Sequence, residues 1–299
     1  MGMHGMITFQ LLGPVCVKLP SGDRFPVPTP QVRALLVALL RQSSTYVPFD
    51  RLAEHIWTDP PSSARANLRT HAAALRKVLN ICEAGFGRRI ETSRGGAGGI
   101  SAYRLLVDPT QVDAATFTSL ADRGQAELLA GQLSAAVQTL TAALDLWHGP
   151  IGVDLPNTLP LQAWANSLTE RRLAVIEDLA EARLQLGDYT GLVAELRHQA
   201  TENPLRERLI ELLMRGLHVT GDRPAAIAAY QDYRHRLAEE LGIEPCPPAT
   251  DAPRLAKRRA DQTSPVHIST GAAGYGRSRP RIDHFGQLRD CFGVEPILR

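Results

Sequence analysis

The chain has 299 residues, 44% of them hydrophobic, and a formal net charge of only +2. This length and apolar content are sufficient for two domains, each with a buried core. The four cysteines are far apart and form no C-x-x-C pair, which argues against structural zinc and against a disulfide framework. Neither a secretory leader nor a run of about 18 apolar residues occurs, so we expect a cytoplasmic protein without a membrane span.

The charged residues are unevenly distributed along the chain. Residues 1–107 contain 13 Lys and Arg against 6 Asp and Glu, a net charge of +7, whereas residues 108–250 contain 11 against 20, a net charge of −9. Residues 251–299 have a net charge of +4. A basic first part indicates a polyanionic partner and an acidic second part indicates a different one, although simple solvation of each surface explains the same counts.

The amino-terminal segment predicts a small antiparallel sheet followed by a helix. Three short apolar or alternating runs, separated by turn residues, are typical of strands: Ile7–Leu12, Val15–Leu19 and Arg24–Val27. Thr29 then supplies a helix N-cap and Pro30 a first-turn proline, so the following dozen residues are predicted to form the first helix.

Two more helices are predicted before a glycine-rich segment. Asp50 is expected to cap a short second helix, and a third helix is expected at residues 62–80, capped by Ser62 or Ser63. The third helix has apolar residues at helical spacing, which places them on one inward face: Leu68, Ala72, Leu75 and Leu79. Its opposite face is small in the middle and basic at the edges, a composition that suits close approach to phosphates.

Two predicted strands, at residues 88–93 and 100–107, follow the third helix and are joined by the basic, glycine-rich loop Arg94–Gly99. Such a pair forms a hairpin. A sheet, three helices and a terminal hairpin is the order of a winged helix-turn-helix domain, in which the third helix enters the DNA major groove and the hairpin is the wing. The predicted DNA-contacting residues are Arg65, Arg69, Thr70, Ala73, Ala74, Arg76, Lys77 and Arg94. The alternatives are a solvated amphipathic helix and a glycine-rich tip that contacts nothing.

From Val112 to Gly242 the pattern is helical almost throughout. Gly131, Gly187 and Gly221 each end one amphipathic segment and open another, and the last two are 34 residues apart, the period of a tetratricopeptide repeat. The spacing of 56 residues between the first two indicates an inserted, proline-rich connector. Stacked helix pairs form a surface for a macromolecular partner, although a self-contained helical domain or a dimer contact is the alternative.

Both parts, in this order, resemble the Streptomyces antibiotic regulatory proteins, in which an OmpR-type winged helix precedes a bacterial transcriptional activator domain. The resemblance covers residues 7–245 and is carried by the following segments: Pro30-Gln-Val-Arg-Ala-Leu-Leu, Asp50-Arg-Leu-Ala-Glu-His-Ile-Trp, Pro60-Pro-Ser-Ser-Ala-Arg, Leu75-Arg-Lys-Val-Leu, Tyr103-Arg-Leu, Val112-Asp-Ala, Leu146-Trp-His-Gly-Pro, Asn203-Pro-Leu-Arg-Glu-Arg and Leu237-Ala-Glu-Glu-Leu-Gly-Ile-Glu-Pro. Members usually carry a basic residue immediately before the leucine that here is Leu75. This chain has Ala74 there, so either its base preference is expected to differ or its specific binding is expected to be weaker.

The resemblance implies a pathway-specific activator of secondary-metabolite (antibiotic) biosynthesis genes. Such a protein binds direct repeats near the −35 element of a promoter, as two protomers side by side, and recruits RNA polymerase with its sigma factor. The resemblance also implies that the loop containing Thr58, Asp59 and Ser62 lies near the polymerase.

The predicted fold is therefore an α+β winged helix-turn-helix domain (residues 1–107), then an all-α tetratricopeptide-like domain (108–250) and a disordered or loosely packed tail (251–299), mostly α overall. In the tail, Gly271–Ser278 superficially resembles a phosphate-binding loop but has Arg277 in place of the lysine. Lys257–Arg259 is interpreted as a solvated basic run, with auxiliary DNA contact as the alternative. We predict no enzyme activity, cofactor or metal. The competing hypothesis for function is a protein-interaction adaptor with weak or no specific DNA binding.

Overall fold

The computed structural model describes residues 6–42, 44–94 and 100–243. The predicted wing tip and both tail segments discussed above therefore lie outside the described residues. The chain begins with a three-stranded antiparallel sheet in the predicted order: β1 (Thr8–Gln10), β2 (Cys16–Lys18) and β3 (Arg24–Pro26). Phe9 and Val17, which are paired across β1 and β2, are fully buried, so one face of this sheet contributes to the core.

Three helices share this core, and their bounds are α1 (Pro30–Arg41), α2 (Phe49–Ile56) and α3 (Ala64–Cys82). Every residue from Ala34 to Leu40 is buried, which makes α1 the central helix. The predicted cap of α1 is confirmed, because the Thr29 hydroxyl oxygen accepts a hydrogen bond from the Val32 backbone N–H at 3.3 Å.

Of the two other predicted N-caps, that of Asp50 is wrong, whereas Ser63 occupies the predicted cap position but forms no cap hydrogen bond. Asp50 lies within the first turn of α2, and Pro48 occupies the cap position because its pairing with Ala102 fixes where the helix begins. At α3, Ser63 precedes the first helical residue, but its ψ of 4° is far from the extended backbone that directs a cap oxygen at the free N–H groups. The Ser63 hydroxyl instead accepts a hydrogen bond from the Asn67 side chain at 3.2 Å.

A second antiparallel sheet has the order β4–β6–β5, with β4 (Val47–Pro48), β5 (Ile90–Arg94) and β6 (Ile100–Leu105). The hairpin of β5 and β6 is the predicted wing. Strand β4 was not predicted, because two residues are too few to show alternation. Arg88 and Arg89, predicted to begin the first wing strand, lie instead in a 3-10 turn at Phe86–Arg89.

Six further helices follow in the described residues: α4 (Asp113–Leu129), α5 (Leu133–Leu144), α6 (Leu159–Leu186), α7 (Leu192–Glu202), α8 (Glu207–Val219) and α9 (Arg223–Leu241). The predicted glycine turns are confirmed, since Gly131, Gly187 and Gly221 have φ of 73°, 75° and 87°. Their tetratricopeptide-like stacking stays a prediction. None of the helices in the described ranges combines the length and apolar character needed to cross a membrane.

The chain forms two compact units that divide between Ala182 and Arg183, inside α6. The first unit joins the winged helix to α4, α5 and most of α6. Residues 146–162, interpreted from the sequence as an inserted connector, lie in this unit. Two of them, His148 and Asp154, form hydrogen bonds to Gln10 and Val15, so the connector is attached to the amino-terminal part of the chain and is not a free spacer. The domain boundary that the sequence predicts at residue 107 stays a prediction.

Candidate nucleic-acid interface

The inward face of α3 is as its periodicity predicts. Leu68, Ala72, Leu75 and Leu79 are all fully buried in the core that they share with α1 and α2. At about 1.5 Å per residue, the 19 residues of α3 extend about 28 Å, which is long enough to follow a DNA major groove. Burial of one face fixes which residues of α3 remain available on the other.

The outward face of α3 is open to solvent. The predicted contact residues that are exposed on this helix are Arg65, Arg69, Thr70, Ala73 and Lys77. Ala74 is half-buried and packs against the core, so the basic side chain that the resemblance leads us to expect at this position would project from a partly covered part of the helix. The Thr70 hydroxyl donates to the Ala66 carbonyl oxygen one turn earlier, at 3.3 Å, and its lone pairs remain able to accept a further hydrogen bond.

Arg65 forms a weak ion pair with Asp50 at the start of α2, with 3.6 Å between the Arg65 Nη2 and Asp50 Oδ1 atoms. Both side chains are largely exposed, at 66% and 86%. Exposed pairs of this kind contribute roughly 0–1 kcal/mol. Arg65 can therefore exchange this carboxylate for a phosphate at little cost.

Arg76 differs from the other basic residues of α3, because it is half-buried and bonded within the domain. Its Nη2 donates to the Ile90 carbonyl oxygen at 3.0 Å, and its guanidinium lies 5.5 Å from the centroid of the Tyr103 ring. The sequence grouped Arg76 with the DNA-contacting residues. The structure gives it an intramolecular partner at the base of the wing.

The wing carries Arg94 at its outer end. This residue is exposed and lies opposite Ile100, at an irregularity in the strand register between Ser93 and Arg94. Of the preceding basic pair, Arg89 stacks over the Phe86 ring, 4.4 Å from its centroid. Among the described wing residues, Arg94 is thus the basic side chain at the open end of the hairpin.

The loop between α2 and α3 contains Thr58, Asp59 and Ser62, all of which are exposed. The Thr58 hydroxyl donates a long hydrogen bond of 3.4 Å to the carbonyl oxygen of Asn157, in the segment between α5 and α6. Nearby, the Thr158 hydroxyl donates to the His55 carbonyl oxygen at 3.1 Å. The loop and the connector therefore form one continuous surface of the first unit.

Sequence patterns gave no indication of the residues that hold the winged helix to the helices after it. Asp113, the first residue of α4, accepts hydrogen bonds from the backbone N–H groups of Leu11 and Leu12 at 2.8 and 3.1 Å. The His148 N–H donates to the Leu12 carbonyl oxygen at 2.8 Å, and the Val15 N–H donates to Asp154 at 2.9 Å. Asp113 and His148 lie in two of the segments that carry the resemblance, Val112-Asp-Ala and Leu146-Trp-His-Gly-Pro, whose sequence alone indicates no physical role for either residue.

Burial raises the pKa of Asp113 to about 6, against the opposing effect of the backbone N–H groups that it accepts. Burial also lowers the pKa of His148, and the positive charges of Arg24 and Lys18 lower it further. Among the described residues, no group of three His, Cys, Asp or Glu side chains is arranged to hold a metal ion.

Two protein families match the chain, in the order in which the structure presents its parts. The family described as "Transcriptional regulatory protein, C terminal" matches residues 27–97, which include α1, α2, α3 and the whole of β5. The family described as "Bacterial transcriptional activator domain" matches residues 112–253.

Several regulators are similar to the chain over most of its length. The transcriptional regulatory protein MoaR1 of Mycobacterium tuberculosis is 35% identical over 246 residues, which are 81% of this chain and 76% of the relative. The transcriptional regulator RedD of Streptomyces coelicolor is 34% identical over 81% of this chain and 67% of the relative. The regulatory protein DnrI of Streptomyces peucetius is 32% identical over 79% and 86%, respectively.

A solved structure of Mycobacterium tuberculosis EmbR, in complex with a low-affinity phosphopeptide, has a TM-score of 0.72 to this chain. It is 30% identical and covers 87% of this chain, which in turn spans 66% of that one. The winged-helix fold, the exposed basic face of α3 and the similarity to these regulators all indicate the same family. The chain belongs to the Streptomyces antibiotic regulatory protein family, transcriptional regulators that join an OmpR-type winged helix to a bacterial transcriptional activator domain.

Proposed function

We propose that the chain is an activator that binds direct repeats near the −35 element of its target promoters, inserts α3 into the major groove and recruits RNA polymerase. The observation that carries this proposal is the division of α3 into a buried apolar face and an exposed face bearing Arg69, Thr70 and Lys77. The positive side chains suit phosphates, whereas Thr70 and Ala73 suit base edges and thymine methyl groups. The regulated genes, by similarity to the family, are those of a biosynthetic pathway.

The salt dependence of DNA binding tests the role of α3. We expect Arg69→Ala and Lys77→Ala each to weaken binding, and each to make the slope of log K against log salt shallower by about 0.9, since each removes one phosphate contact. The probe is a duplex selected from a random-sequence pool by the wild-type protein. Lys18→Ala, which removes an exposed lysine from β2, is the matched control and should leave affinity and slope unchanged.

Wild-type affinity and slope in the Arg69→Ala, Lys77→Ala double variant would contradict insertion of α3. If the wild-type protein selects no duplex even in dilute salt, the adaptor function is favoured instead. Protection of two adjacent half-sites in a footprint is expected if two protomers bind side by side.

We further propose that the loop containing Thr58, Asp59 and Ser62 contacts RNA polymerase or its sigma factor. The loop is exposed and adjoins the connector through Thr58. The double variant Thr58→Ala, Asp59→Ala should bind DNA like the wild-type protein but fail to stimulate transcription from a linear template by purified polymerase. Full stimulation by this variant would assign polymerase recruitment to another surface.

A further inference from the structure

Arg76 links α3 to the base of the wing. Its hydrogen bond to the Ile90 carbonyl oxygen reaches the first residue of β5, and the Tyr103 ring beneath its guanidinium belongs to β6. Tyr103 is only 1% exposed, so this ring has a fixed position in the core. A guanidinium can stack on a ring and donate a planar hydrogen bond at the same time, which an ammonium group does not do. Arg76 therefore contacts both wing strands at once.

A second contact fixes the same region. The Gly87 N–H, in the 3-10 turn before β5, donates to the Asn80 side-chain oxygen at 2.8 Å. A Cβ atom on Gly87 would lie only 2.5 Å from the Arg76 carbonyl oxygen, which shows how closely the turn approaches α3. We call Arg76, Asn80, Gly87, Ile90 and Tyr103 the helix–wing junction.

The position of the wing tip is sensitive to this junction. Strand β5 extends from Ile90 to Arg94, a distance of about 13 Å at about 3.3 Å per residue. A tilt of about 10° at Ile90 would displace Arg94 by about 2 Å over this length. The distances of good N–H···O hydrogen bonds span only about 0.5 Å. A small loss of order at the junction is thus enough to remove a contact between Arg94 and a phosphate.

We propose that Arg76 is a positioning residue that holds the wing at the angle to α3 at which Arg94 meets the DNA backbone, and that Arg76 does not contact DNA itself. This inference rests on the proposed function. It also reassigns one residue that the sequence pattern placed among the DNA contacts.

A double-mutant cycle in the full-length chain tests the proposal, with the selected duplex described above as the probe. Arg94→Ala should weaken binding about tenfold, as expected for loss of one charge-assisted hydrogen bond, and make the salt slope shallower by about 0.9. Arg76→Ala should have the same two effects, because it misplaces Arg94. The double variant should then bind like either single variant, to within about twofold, with no further change of slope.

Arg69→Ala is the matched control, because Arg69 is an exposed arginine of the same helix. Its effect should multiply with that of Arg94→Ala, and the combined slope should be shallower by about 1.8. Multiplicative effects of Arg76→Ala and Arg94→Ala would overturn the positioning role and make Arg76 a DNA contact. If Arg69→Ala has no effect either, the proposed function itself fails, so the two failures are distinguishable.

Arg76→Lys provides a second variant that retains the positive charge. Its ammonium group is expected to lose the stacked, bonded geometry, so it should bind DNA as Arg76→Ala does. Wild-type affinity and slope for Arg76→Lys would overturn the proposal, since charge alone would then suffice. Far-ultraviolet circular dichroism checks that each variant is folded, and if Arg76→Ala is not, the cycle with Arg94→Ala is measured with Arg76→Lys.

Discussion

At the scale of single residues, Asp113 links two parts of the chain through a half-buried carboxylate. Its carboxylate accepts from the Leu11 and Leu12 N–H groups at the end of β1 and from the Ala114 N–H of its own helix, at 2.7 Å. These groups stabilise the anion, yet the pKa is still raised to about 6 because burial removes the carboxylate from water. Ionisation of Asp113 therefore destabilises the folded state relative to the unfolded state.

This destabilisation predicts a specific pH dependence of stability. The pKa of Asp113 is about 3.9 in the unfolded chain and about 6 in the folded one. The protonated carboxyl therefore contributes stability to the fold that is complete below about pH 4 and is lost as the pH rises through about 6. In urea unfolding, the free energy of unfolding of the wild-type protein should therefore fall by about 1–3 kcal/mol between pH 4 and pH 7, relative to Asp113→Asn. If the free energies of unfolding of the wild-type protein and of Asp113→Asn change in parallel over this pH range, the raised pKa is contradicted.

At the scale of the elements, α4 and α5 approach each other closely at Gly124. This residue is buried inside α4, and a Cβ atom placed on it would lie 2.5 Å from the Leu140 Cδ2 atom of α5. The Leu140 side chain is itself fully buried and has little room to move. The absence of a side chain at position 124 is therefore required by packing between the two helices.

Gly124→Ala separates helix propensity from packing. The substitution gains about 1 kcal/mol of helix propensity but costs about 1–3 kcal/mol through overpacking against Leu140. We expect a net loss, measured as a lower midpoint of thermal unfolding. Gly216→Ala in α8 is the matched control, since its Cβ would lie 3.3 Å from the Val193 Cγ2 atom, and it should be neutral or slightly stabilising. Equal effects of the two substitutions would refute the packing argument.

The predicted N-caps of α1 and α3 show which features of a helix end can be predicted from sequence patterns. Thr29 caps α1 as predicted, because its backbone is extended, with ψ of 152°. Ser63 has the same kind of side chain at the corresponding place before α3, but the turn after Pro60 and Pro61 gives it a different backbone conformation. Side-chain type is visible in the sequence, whereas the dihedral angles that direct it depend on the path of the preceding loop.

At the scale of the first compact unit, Arg33 of α1 and Asp154 of the connector form an ion pair between two segments that are distant in the sequence. The Arg33 Nε atom lies 3.1 Å from the Asp154 Oδ2 atom, and the side chains are only 17% and 21% exposed. Arg33 also donates to the Val27 carbonyl oxygen at 2.7 Å, and Asp154 accepts from the Val15 N–H. The pair thus joins the connector to both the sheet and the central helix.

Removing either partner leaves the other charge partly buried and uncompensated. We expect Arg33→Ala and Asp154→Ala each to lower the free energy of unfolding by about 2–4 kcal/mol, and the double variant to lose at least about 1 kcal/mol less than the sum. Urea unfolding measures all four proteins. Additive losses would show that the pair is not coupled and that the connector is held by its other contacts.

The sequence by itself determined the two faces of α3, the order of the winged-helix elements and the positions of the glycine turns. These features depend on helical periodicity and on local backbone preferences, which are properties of neighbouring residues. The tertiary structure alone decided that Arg76 is directed to the wing base and that Asp113 holds β1, because their hydrogen-bond partners lie 14 and 102 residues away. Periodicity identifies which face of a helix is covered, but only the fold brings a distant backbone group within hydrogen-bonding distance of a particular side chain.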